Sequence, residues 1–298
     1  MQVTFCNLKI TLSPMFKIAF FFLIITSSYC QPIDYNPQFS NLKNKADLQK
    51  GLVSTAILAL TVYSIYEAGK PIYYNEERSE FHFTRYKNKV ELFDNGHRGL
   101  DKFGHLFSSS LFAQNIYFLS RWSGFNKTTA SYTSLLLASS IMGAMEVHDA
   151  YYKRWGFSAG DFIFNVLGAS FYVGQQNISV MKNFDYKISY DFTKEKDDQA
   201  VIESYANMTF WLTANPSGLF ERTLPDWFPN WLNLAMGISV THSEPKRTEI
   251  LIALDYNLKR IKTKSIFLNH IIHTLDRYHF PAPALRLAPG FIGFGLYF

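Results

Sequence analysis

The sequence predicts an α+β protein, with an N-terminal helical bundle followed by an antiparallel β-sheet and one helix interrupting the sheet half. Three observations predict it. Between residues 49 and 180, long and mostly apolar segments are separated by Gly-containing breaks such as Ser123-Gly124 and Trp155-Gly156. After about residue 182 the apolar period becomes two: Phe184, Tyr186, Ile188, Tyr190 and Phe192 alternate with Asp185, Lys187, Ser189, Asp191 and Thr193. Finally, Ser265 to Tyr278 returns to a helical pattern inside that strand-rich half.

The first thirty residues stand apart from this plan. Met15-Phe16-Lys17 forms a short basic start, Ile18 to Ile25 is unbroken apolar, and Thr26 to Cys30 precedes polar Gln31-Pro32. That is the order of an export signal occupying residues 1–30, with Met15 as the expected start of translation. The apolar run falls short of the ~20 residues a spanning helix needs. Cys30 is either removed with the signal or lipidated. Bulky Tyr29 fits a lipobox poorly, because the residue before a lipidated cysteine is normally small. Residues 31–48, polar with Pro and Asn, read as a tether.

In the helical domain, 49–180, Leu52 to Ala68 is apolar nearly all round and meets a Gly69-Lys70-Pro71 stop. Asn75 to Leu92 is polar and charged with interleaved aromatics. Asp101–Trp122, Thr129–Tyr152 and Ser158–Gln175 are the next helices. In the β-rich region, 181–298, the alternation recurs at Leu232–Val240, Ile250–Leu258 and Ile292–Phe298, and more weakly at Ala206–Leu212. The terminal Phe291 to Phe298 resembles the closing strand of an outer-membrane barrel, but about five strands are fewer than the eight or more such a barrel uses. The expected arrangement is therefore a half-buried sheet packed on the helices. The alternative is insertion into, or docking on, the outer membrane.

Composition narrows the function. Of 298 residues, 48% are hydrophobic, 17% aromatic and only 18% charged, which excludes a disordered chain. The net charge of +5 falls to +3 without the leader, and no dense Lys/Arg stripe exists, so a nucleic-acid partner is excluded. Mean hydropathy of -0.05 argues against a polytopic helical membrane protein. Attraction to an anionic membrane surface remains open. Two cysteines, both in the leader, exclude a disulfide framework. No P-loop, Gly-x-Ser-x-Gly elbow, His-Glu-x-x-His or Rossmann fingerprint occurs.

The chemistry concentrates on three helices. Asp101 and His105 are four apart, Glu146 and Asp149 three apart, and Asp161 and Asn165 four apart, so each pair shares a helix face. Charges on otherwise apolar faces are costly unless paired or bound. Asp101, His105 and Glu146 are the candidate catalytic residues, with His105 as general acid or base oriented by Asp101 and Glu146 titrating high. Lys102, Asp149, Ser158, Asp161 and Asn165 are candidate binding residues. Lys102 would neutralise an anion such as phosphate, or point to solvent. Carboxylates with a neutral imidazole and an amide also suit a divalent metal. A structural account exists for each. Ser158 to Asp161 matches a capping box, Asp101 sits in a first helical turn, and His105 could be a core histidine bonded to Asp101. His148 is expected to be exposed. His270 and His273 are expected to lie on a solvated amphipathic helix.

These motifs carry a family resemblance. Asp101-Lys102-Phe103-Gly104-His105, Glu146 with Asp149, and Gly156 to Asp161 with Asn165 and Gly168 resemble the YfiM-like family of predicted periplasmic lipoproteins, over about residues 99–175. More remotely the set looks like VanZ-like proteins. The resemblance implies an exported protein in the periplasm or outer membrane of a Gram-negative bacterium. About 120 C-terminal residues of strand pattern are extra to the smaller members. Two functions follow. One is a structural or scaffold protein with a buried Asp/His/Glu network. The other is binding or hydrolysis of an envelope lipid or phosphorylated glycan at the Asp101/His105/Glu146/Asp161 cluster, assisted by a metal. Whether the protein is an enzyme is left open by the sequence.

Overall fold

The computed structural model describes residues 45–298 except 88, 94–97, 194–203, 222, 242–245, 289 and 298. The export signal, Cys30 and almost all of the tether therefore lie outside the described residues, as does the terminal Phe298. The architecture is α+β, with helices first and a six-stranded antiparallel sheet after them.

Helix α1 runs Lys45–Tyr73, five residues past the expected stop at Ala68. Pro71 falls in its last turn, where it removes one i→i−4 hydrogen bond close to the helix end. Tyr73 holds that turn in place. Its hydroxyl donates to Asp149 at 2.6 Å, and its ring packs on His148, Tyr152 and Trp155. Of its apolar surface, Leu58 and Val62 join the helical core, while Leu52, Leu60 and Tyr63 remain exposed. Among the described residues no helix is long and apolar enough to cross a membrane.

The following segment carries the small hairpin β1 (Arg85–Tyr86) and β2 (Lys89–Val90) and bridges to Tyr152 and Phe157. Then come α2 (Leu100–Trp122), α3 (Lys127–Asp149) and α4 (Ala159–Asn177). Asn126 caps α3 by accepting from the Thr129 amide, and Ser158 caps α4 by accepting from the Asp161 amide. Helices α2 and α4 touch backbone to backbone. A Cβ on Gly168 would lie 2.1 Å from the Leu106 carbonyl oxygen, so only glycine permits the approach that brings the site residues together. Leu58, Ile116, Leu137, Ile141 and Tyr172 fill the core between α1 and the three-helix bundle.

The sheet order is β3 (Phe184–Tyr190), β4 (Met208–Ala214), β5 (Leu232–Val240), β6 (Thr248–Tyr256), β7 (Ala282–Ala288) and β8 (Phe291–Tyr297), each strand antiparallel to the next. A one-turn helix α5 (Pro216–Leu219) and helix α6 (Ile266–Leu275) interrupt it. Strand β7 was not expected from the sequence. Ala282-Pro283-Ala284 carries no β-branched or aromatic signal, because the alanines face a crowded interior where larger side chains would not fit. The chain entering β7 returns to the free edge of β3. The Ile188 amide donates to the Arg277 carbonyl and the His279 amide to the Ile188 carbonyl, each at 2.9 Å. The hydrogen-bonded circuit is thereby closed and the sheet curls on itself.

The polarity of this curled sheet differs from the expected arrangement. At β3 and β4 the apolar face packs on the bundle: Tyr186, Tyr190, Met208 and Phe210 meet Leu100, Phe103 and Phe107. Along β5–β8 the same face is open to solvent, with Ile252 51% and Phe294 80% exposed. The opposite face is the buried one, and it sets charged and polar chains beside a cluster of Trp211, Ala235, Leu251, Ala253 and Ala284. Lys187, wholly buried, reaches Asp255 at 2.8 Å and Asp276 at 3.1 Å. His279 bonds Asp255 at 3.0 Å and stacks on Trp211 with ring centroids 4.0 Å apart. Curling turns this face inward, where Ala235, Gly237, Ala253 and Ala284 leave room for the Trp211 indole. Alternation alone reports two faces but not which one turns inward.

Candidate functional site

The site lies between α2, α3 and α4. Helix α2 supplies Asp101, Lys102 and His105, α3 supplies Glu146, and α4 supplies Asp161 and Asn165. It has two adjoining halves.

In the first half, Lys102 is wholly buried, with its ammonium among three carboxylates. It donates to Glu91, to Asp101 Oδ2 at 2.7 Å and to Ser158 Oγ at 3.3 Å, and stands 2.9 Å from Asp161 Oδ1. Burial works to discharge the lysine, but the carboxylates of Asp101 and Asp161 outweigh it and its pKa is raised. The alternative that Lys102 points to solvent is thus overturned, and the ammonium is held by protein carboxylates. Gly160 makes this possible, since a Cβ there would strike both the Leu92 carbonyl and the Lys102 stem.

In the second half, His105 Nδ1 lies 3.3 Å from Glu146 Oε1 and 3.2 Å from Asn165 Oδ1, while Nε2 lies 3.8 Å from Asp161 Oδ1. One ligand atom each from His105, Glu146 and Asp161 falls within 4.8 Å of the others. Asn165 Nδ2 faces Glu146 at 3.5 Å, and its backbone carbonyl accepts from Ser109 at 2.5 Å, which fixes that turn of α4. Glu146 is buried at 2% exposure, whereas the His105 side chain keeps 20% of its surface, so the site opens at the imidazole. Burial lifts Glu146 to about 8, with His105 pulling it back. Burial also acts to lower His105, but Asp161, Glu146 and Asp101 overcome it and the imidazole titrates above its usual value.

Several candidate residues change partners. His105 is oriented by Glu146 and Asn165 rather than by Asp101, whose carboxylate serves Lys102. The reason is that α2 enters the bundle with its first turn against Glu91 and its second against α3. Asp149 accepts from the Tyr73 hydroxyl and sits at the α1 end of α3, away from the cluster's bonds. Ser158 has both roles, capping α4 and accepting from Lys102. Asp161 likewise does more than begin a helix. His148 is half-buried among Tyr66, Tyr73 and Tyr152 rather than exposed. His270 stacks on Phe118 at 3.9 Å and bonds Asn115 at 3.0 Å, so α6 is docked on α2 and burial drives that histidine down to about 4. Glu91 was missed. Its signal was a lone acid between Val90 and Leu92-Phe93, an apolar flank that an exposed glutamate does not need.

Residues 93–175, which take in α2, α3, nearly all of α4 and every residue of the site except Glu91, match the family described as predicted periplasmic lipoprotein (DUF2279). That is a family of exported cell-envelope proteins, in agreement with the YfiM-like resemblance. The more remote likeness to VanZ-like proteins has no support. No curated protein and no solved structure matches the chain.

Proposed function

We propose that the helical domain of this envelope protein is a cation-assisted binding site, in which His105, Glu146 and Asp161 hold a divalent metal and Asn165 adds a weaker oxygen ligand. The observation that carries the reading is the convergence of the three ligand atoms within 4.8 Å, each from a different helix. One imidazole with two carboxylates is a donor set for zinc or manganese in preference to calcium, which takes only oxygens. The partly open imidazole edge gives a ligand access. A metal there would attract an anionic envelope ligand, a lipid phosphate or a phosphorylated glycan. The reading is of binding; it assigns no nucleophile and no bond cleavage.

A second reading has its own observation. Lys102 is enclosed by Glu91, Asp101 and Asp161, a buried ion cluster that fixes helix register and needs no ligand. The scaffold role of that half is compatible with binding in the other half. The two are separated by titrating the purified full chain with zinc and manganese while following thermal unfolding. Binding raises the midpoint with metal concentration and Glu146→Gln removes the rise. A midpoint indifferent to both metals and to chelator leaves only the scaffold.

A further inference from the structure

We infer that the convex outer surface of β5–β8 is a lipid-docking face, which lays the protein on an anionic leaflet with its apolar side chains among the acyl chains. The inference is independent of the metal site. It starts from the inverted polarity of the curled sheet. Its buried face holds Lys187, Asp255 and His279, while Met236, Ile252 and Phe294, paired across β5, β6, β7 and β8, stand exposed in one row with Leu285 between the last two. A sheet in water alone would place these faces the other way. An apolar outer face around an inner one that holds charged chains is the pattern of proteins in contact with lipid.

Two further features name the occupant. Trp231 and Tyr256 stack at one end of the strands, both exposed, with ring centroids 6.3 Å apart. Aromatics with a polar tip settle at the headgroup level of a bilayer. Immediately beyond Tyr256, residues 257–264 carry Lys259, Arg260, Lys262 and Lys264 and no acid. Lys259 is committed to Asp185 and Arg260 to Asn215, whereas Lys262 and Lys264 are exposed, and apolar Ile266 follows in α6. A basic strip beside an aromatic rim complements anionic headgroups. The face docks and does not span. Strands β7 and β8 have seven residues each, short of the ~9–11 a spanning strand needs, and β5 and β6, with nine each, only reach its lower bound. Moreover, β3 and β4 are covered by the bundle. With only side chains entering the acyl layer, the open edge of β8 keeps its contact with water.

The test uses the full chain with Cys6→Ser and Cys30→Ser, which also removes any attached lipid. A nitroxide is placed at Ile252→Cys or Phe294→Cys, with Lys153→Cys on the helical domain as control. Vesicles of phosphatidylglycerol in phosphatidylethanolamine are added. The inference expects oxygen accessibility to rise and that of an aqueous nickel complex to fall at 252 and 294, but not at 153. Lys262→Glu with Lys264→Glu should weaken vesicle partitioning at low salt by about tenfold or more. Labels at 252 and 294 that stay water-accessible on bound vesicles overturn it. So does concentration-dependent spin coupling between chains, which assigns the face to a second copy. Labels already shielded before vesicles are added assign it to the chain's own first 44 residues, with the same effect.

Discussion

His105 Nδ1 stands 3.3 Å from Glu146 Oε1 across the α2–α3 contact, and both groups take up protons more readily than they would in water. Folding therefore favours their protonated forms. For His105, whose folded pKa is raised, the contribution is full below about 6.5 and is lost as pH rises through the folded value. Glu146, raised to about 8, behaves alike: the native state is favoured as pH falls from 8 toward 4.5. Asp276, pushed up to about 6 by burial, adds in the same sense between 6 and 3.8. The metal-free protein is thus expected to gain stability as pH drops from 8 to about 6.5, below which His270 and His273, both held down by burial, oppose the gain. Urea unfolding across that range reads it directly, and Glu146→Gln should flatten much of the slope above pH 6. A slope of opposite sign contradicts the assignment of these protons.

Metal should reverse that dependence. A cation binds the deprotonated carboxylate and neutral imidazole, so its apparent affinity is expected to increase with pH through about 8. Calorimetric titration at pH 6, 7 and 8 should give progressively tighter binding with protons released. Binding that is equally tight at all three values would place the cation elsewhere.

Lys102→Met is expected to cost about 3–5 kcal/mol, because Glu91, Asp101 and Asp161 would lose the ammonium they share in a buried place. Denaturant unfolding measures it. Lys102→Met with Asp161→Asn should recover part of the loss. A loss below about 1 kcal/mol would mean that the cluster is solvated like a surface ion pair.

Gly168→Ala should separate α2 from α4, since its Cβ would overlap the Leu106 carbonyl. Overpacking of this kind costs about 1–3 kcal/mol. It should also lengthen the His105–Asp161 distance and weaken metal binding more than a neutral surface change such as Lys153→Ala. Unchanged stability and affinity would show that the helices do not need this approach.

Much of the helical site was legible because it depends on local spacing. His105, Glu146, Asp161 and Asn165 each break an apolar helix face, and three such helices in sequence must bury their polar residues together. The pairing within the cluster was not legible. It depends on how closely α2 approaches α4, which Gly168 decides, and on Glu91 arriving from outside the bundle. In the sheet, the strands with Ile, Leu and Tyr alternation were visible, but β7 was hidden by its alanines. The inverted polarity was hidden as well. Period-two alternation is symmetric between faces, and only the closure of β3 onto residues 277–279 decides that Lys187 and Asp255 point inward.

The account centres on His105, Glu146 and Asp161 as a metal site. The most direct measurement is elemental analysis of the full chain isolated from its native envelope without added metal, beside His105→Ala and Glu146→Gln. The account predicts about one zinc or manganese per wild-type chain and a strong loss in both variants, with helical content retained by circular dichroism. Wild-type protein free of divalent metal, or variants that keep the wild-type content, would contradict it.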